Sequence, residues 1–179
     1  PRSATEWYPI GRIVVWAACL GALLVGLALL LLGFSAEAIE SRLGEILNAM
    51  LSTGDGAILS DQVDRETFVA VLTRVVPPAS AVLWMLTTLG NLWLAGRIVR
   101  ISGRLPRPWP QLERIELPRA LGPALLAAGA LSFLPGLAGI GASLFAWTFA
   151  LAFMLLGLAV LHVVTRGMNA RSFILAGVY

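Results

Sequence analysis

Residues 13–34 read IVVWAACLGALLVGLALLLLGF, 22 positions without a charged side chain. At ~1.5 Å per residue such a helix is about 33 Å long, enough to cross a hydrocarbon core of about 30 Å. Three more apolar blocks follow. Residues 77–96 end at Arg97 and open on Pro77 and Pro78, which a first helical turn tolerates because its N–H groups have no intrahelical acceptor. Residues 121–137 are short, with Pro123 and Pro135 near their ends, and residues 140–164 are long enough to require tilt. Between these two, Pro135-Gly136-Leu137-Ala138-Gly139 leaves room only for a tight turn, so the pair reads as an antiparallel hairpin. Phe173-Ile174-Leu175 opens a further apolar run after Arg171. The expectation is an all-α polytopic transmembrane bundle: four spans and the start of a fifth, in one membrane domain over residues 1–179. The opening on Pro1 and the run still under way near Tyr179 read as a fragment of a longer chain.

Composition excludes other classes. Apolar residues make up 58% and charged ones 13%, and the apolar residues come in blocks instead of alternating with polar ones, unlike a soluble globule. The pI near 10 does not point to nucleic acid, because the basic residues are all Arg and most flank apolar blocks, where they suit lipid headgroups. Cys19, the single cysteine, lies inside the first block and forms neither a disulfide within the chain nor a metal site. If the spans alternate, Arg2, Arg12, Arg97, Arg100, Arg104, Arg107, Arg114, Arg119, Arg166 and Arg171 share one side, against Arg42, Arg65 and Arg74 on the other. The positive-inside rule then puts the arginine-rich side and the fragment's N-terminus in the cytoplasm.

Residues 35–76 form the outer loop. In its first half Ile39, Leu43, Ile46, Leu47, Met50 and Leu51 recur at helical spacing, so an amphipathic helix is expected. Its polar face carries Glu37, Glu40 and Glu45, which anionic lipid would repel, so the apolar stripe should pack on the bundle or on a partner. A turn at Thr53-Gly54-Asp55-Gly56 precedes a second helix capped near Ser60 or Asp61, with Phe68, Val71, Leu72 and Val75 on one side. The inner loop, residues 97–119, contains Arg104-Leu105-Pro106-Arg107-Pro108-Trp109-Pro110, a stiff interfacial strap in which proline forbids regular helix. Trp7 and Tyr8 before the first span, with Arg97, Arg104, Arg107 and Trp109 of this loop, are the candidate interface anchors.

Little in the spans can carry chemistry. No Asp, Glu, Lys or Arg lies between their charged ends, so no proton or ion relay is offered. His162, at a cytoplasmic helix end, reads as a hydrogen-bonded interfacial residue. Thr87, Thr88 and Asn91 sit near the middle of the second span, with Trp84 one turn away; Ser132 and Thr148 could join them. Such a cluster serves either interhelical hydrogen bonding or a polar spot for a small ligand. Ala18-Ala22-Gly26, Ala124-Ala128-Ser132 and Ala142-Ala146-Ala150 allow close helix approach, within the chain or to a membrane partner. No nucleophile elbow, zinc-protease helix or P-loop occurs, so no enzyme and no cofactor is expected.

Residues 6–12 (EWYPIGR), 91–97 (NLWLAGR), 103–110 (GRLPRPWP), 131–136 (LSFLPG) and 161–167 (LHVVTRG) together resemble the YybS-like family of predicted bacterial inner-membrane proteins of unknown function. That resemblance implies the C-terminal part of a longer protein, distantly similar to the substrate-binding S components of energy-coupling-factor transporters. It implies a vitamin-like ligand, although no S-component ligand motif falls on named residues here. The first reading is therefore a non-enzymatic small-molecule binding or transport component with Trp84, Thr87, Asn91 and Ser132 facing the bundle interior. The alternative is an accessory or assembly subunit of a larger membrane complex.

Overall fold

The computed structural model describes residues 7–53, 65–106, 108–109, 115–168 and 171–178. All regular structure among them is helical: α1 Ile10–Leu32, α2 Ala36–Thr53, α3 Arg65–Ile101, α4 Leu121–Leu131, α5 Gly136–Val164 and α6 Arg171–Val178. Three helices are long and apolar enough to cross a membrane, at Ile10–Leu32, Thr67–Ile101 and Gly136–Val164.

α1, α3 and α5 pack on one another to form the core. Ala17, Ala18, Ala22, Ala81 and Ala152 are buried at their contacts, where small side chains let the helix backbones approach. Gly21 marks the closest approach: a Cβ there would stand 2.9 Å from the Ala81 carbonyl oxygen and 3.2 Å from Cε3 of Trp84. The order of contacts fixes direction. Val14 and Ala17 cluster with Met85, Phe149 and Ala152, whereas Ala22 and Leu29 cluster with Ala81 and Leu144. α1 therefore runs antiparallel to both α3 and α5, and Arg12, Arg97, Arg100, Arg119 and Arg166 fall toward one end of the bundle. α2 lies at the other end.

Two sequence expectations need correction. The second outer helix and the second span are one continuous helix of 37 residues, with Pro77 and Pro78 inside it and both buried. Proline's fixed φ is itself helical; the cost is the withdrawn N–H and the ring's clash with the carbonyl four residues back, which membrane helices offset through neighbouring helices and local adjustment of the backbone. At about 55 Å, α3 exceeds any bilayer core and carries its first turns out to meet α2. The third expected span is also shorter than its apolar block. α4 has 11 residues, about 16 Å, half a crossing, and the chain turns before Pro135 to start α5 at Gly136, earlier than the expected residue 140. The hairpin with α5 stands, and since α3 ends at the arginine end while α5 starts at the other, α4 and its flanks carry the chain back; three helices are long enough to span by themselves.

α2 forms where the amphipathic pattern places it. Ser35 caps it by accepting a hydrogen bond from the Ala38 N–H at 3.1 Å. Ile39 is buried, Leu43 and Leu47 are half-buried, and Ile46 and Met50 are exposed, so the covered stripe is narrower than expected and no described residue covers its far edge. In the first turns of α3, Phe68, Val69 and Leu72 turn inward, whereas Val71 and Val75 are exposed. The expected turn at Gly54 to Gly56 and the cap near Ser60 lie outside the described residues.

Candidate functional site

The space between α1, α3 and α5 is filled by apolar side chains. Among the described residues Thr148 and Thr165 are the buried polar ones, and each satisfies its hydroxyl within its own helix: Thr148 donates to the Leu144 carbonyl at 3.0 Å and Thr165 to Leu161 at 2.7 Å. Among the described residues no buried side-chain nitrogen or oxygen lacks a hydrogen-bond partner. Nor do three of His, Cys, Asp and Glu come together as metal ligands among them. His162 Nδ1 lies 2.9 Å from the Leu158 carbonyl, a contact local to its helix.

The expected polar cluster is not assembled in the interior. Trp84 is half-buried, its ring lying in the notch that Gly21 leaves on α1. Thr87 is exposed and donates to the Leu83 carbonyl at 2.9 Å; Thr88 is half-buried; Asn91 is exposed. The depth of Asn91 also differs from expectation. Trp84 pairs with Gly21, so Asn91, about two turns further along α3, lies level with the start of α1 near Arg12. The apolar block of α3 is offset toward that end, a shift that only helix pairing reveals. Ser132 closes α4 and donates to the Gly129 carbonyl at 2.7 Å. It adjoins Gly139, whose neighbour Ile140, like Leu32, packs against the cluster of Leu29, Ile39 and Leu144, so Ser132 and Asn91 lie at opposite ends of the bundle.

The arginine end is organised by the termination of α3. The Gly103 N–H bonds the Arg100 carbonyl at 3.1 Å and the Arg104 N–H bonds Val99 at 3.2 Å, with Gly103 at φ 69°. This Schellman ending needs a left-handed residue and reverses the chain over the last turn. Trp109 returns to pack on Gly96, its centroid 4.8 Å from the Arg100 guanidinium carbon and 6.0 Å from that of Arg97. Further along the inner loop, the Glu116 carbonyl abuts Gly11 of α1 so closely that no side chain fits there. Trp7 and Tyr8 are exposed before α1, and the Tyr8 hydroxyl accepts a hydrogen bond from Trp16 Nε1 at 2.9 Å. Arg104 is exposed, and Arg107 lies outside the described residues.

Residues 6–177 match the family described as "Predicted membrane protein (DUF2232)". The chain belongs to that family. No curated protein and no solved structure matches it. The DUF2232 description names a membrane protein and no ligand, in agreement with the apolar helices and a lipid environment. In this DUF2232 chain Arg97 and Trp109 come together, and Arg100, absent from the expected anchors, lies nearer the ring than Arg97 does. Its spacing of three from Arg97 was the available signal, since residues three apart share a helix face.

Proposed function

We propose that the chain is a non-catalytic accessory or assembly component of the bacterial cytoplasmic membrane, with its arginine end in the cytoplasm. The observation that supports this most is the apolar packing between α1, α3 and α5: the buried hydroxyls of Thr148 and Thr165 are bonded within their own helix, while Thr87 and Asn91 are exposed. With Leu83, Gly90 and Leu94 these residues form a face of α3 that no described residue covers. Open glycine, a threonine and an amide on one stripe are the composition by which membrane helices dock. A vitamin-like ligand, as the resemblance to S components implies, would need a polar cavity between the helices.

The test is purification from native membranes in mild detergent, with a photo-crosslinking residue placed at Gly90 and, for comparison, at Leu126 on α4. A protein crosslinked from position 90 and not from 126 is the expected result. A stoichiometric small molecule co-purifying with the chain, and only lipid crosslinked from position 90, would return the reading to small-molecule binding.

A further inference from the structure

We infer that the arginine end carries a site for one anionic phospholipid, its phosphate held by Arg97 and Arg100 and its acyl chain laid along Trp93. Three observations meet there. First, the two guanidiniums are held by one indole, with Trp109 near both and itself half-buried on Gly96. A ring face that attracts cations restrains two long side chains that would otherwise lose rotamer freedom on binding. Guanidinium also presents paired donors matched to phosphate oxygens, which ammonium does not, and every basic residue in the chain is Arg.

Second, among the described residues no ion pair neutralises this charge. Arg12, Arg97, Arg100, Arg104 and Arg119 are all exposed, and Glu116 is the one described carboxylate at their end. The ion pair found among the described residues, Arg42 with Glu45, is on α2. A cluster of this kind at the end of membrane helices attracts anionic headgroups.

Third, the surface just beyond the pair is apolar. Trp93 lies one turn from Arg97 on the same helix face and is 54% exposed, with Leu89 a turn further, half-buried. A phosphate-binding surface continued by an exposed aromatic on a membrane helix fits an amphiphile and not a free inorganic anion. This inference does not rest on the accessory role proposed above.

Native mass spectrometry of the detergent-solubilised chain tests it, with phosphatidylglycerol and phosphatidylcholine of identical acyl chains as probes. Phosphatidylglycerol should be retained over phosphatidylcholine by at least about fivefold, the effect of one surface arginine. Arg97→Gln with Arg100→Gln should bring the two lipids near equality, whereas Arg42→Gln with Arg74→Gln should leave the preference intact. Trp109→Leu should weaken it and Trp109→Phe largely keep it, because phenylalanine retains a ring face. Circular dichroism checks that each variant is folded, and the single Arg100→Gln variant serves if the double one is not. Equal retention of both lipids by the parent chain would overturn the inference, as would equal loss from the Arg42 and Arg74 variant. Displacement of phosphatidylglycerol by excess inorganic phosphate would also overturn it, making this a plain anion site.

Discussion

At the scale of single residues, glycine positions divide sharply by what surrounds them. Gly21 faces the Ala81 backbone and the Trp84 ring, and a Cβ there would press on a carbonyl that cannot move without shifting α3. Gly21→Ala should therefore lower stability by about 1–3 kcal/mol, the cost of overpacking a filled contact. Gly90 has nothing within 4 Å, so Gly90→Ala should be neutral or stabilising by up to about 1 kcal/mol through helix propensity. Thermal midpoints in detergent, followed by tryptophan fluorescence, separate the two; equal midpoints would mean that α1 and α3 do not meet at Gly21. Asn91→Leu should shift stability by no more than about 0.5 kcal/mol, as expected of a surface position. A large loss would show that the amide is buried in the folded protein. That Trp84 packs on glycine was not legible, because the sequence marks Gly21 only as one small residue among many.

Among the elements, α2 was readable in advance and α3 was not. The amphipathic stripe of α2 follows from helical periodicity, but its rotation is set by where α1 and α3 cover it. Ile39→Asp should cost several kcal/mol by burying an unpaired carboxylate, whereas Met50→Asp, at an exposed position, should change the detergent midpoint little. A similar loss at both positions would place the whole stripe against protein. α3 deceived the reading because a proline pair usually marks a boundary. Here the fixed φ of each proline is compatible with helix, and packing against the neighbouring helices offsets the lost donors and ring clash, so the helix continues through. In α4 the apolar block outruns the helix, because the turn into Pro135 uses its last residues.

For the whole molecule, the antiparallel core puts the α2 end and the strap end on opposite sides. With Cys19 half-buried in α1, single cysteines from Ser41→Cys and Ser102→Cys can be compared in intact cells using a maleimide that does not cross the membrane. Labelling at position 41 and protection at position 102 is the expected outcome. The reverse pattern would invert the orientation, and labelling at both would mean that α1 and α3 do not pair as full crossings. Arginine asymmetry made this arrangement legible, since loop charge depends on sequence position alone once the spans alternate.

The sequence by itself determined the all-helical membrane class, the first and last long helices, the amphipathic helix α2 and the arginine-rich end. Each follows from a local quantity: run length, periodicity or charge beside an apolar block. Only the tertiary structure decided which faces meet. It moved Asn91 from mid-span to the level of Arg12, separated it from Ser132, and brought Trp109 over Arg97 and Arg100. Helix offset and rotation depend on how small residues of different helices interlock, and a chain with Ala and Gly on many faces offers several such arrangements until one packed core selects among them.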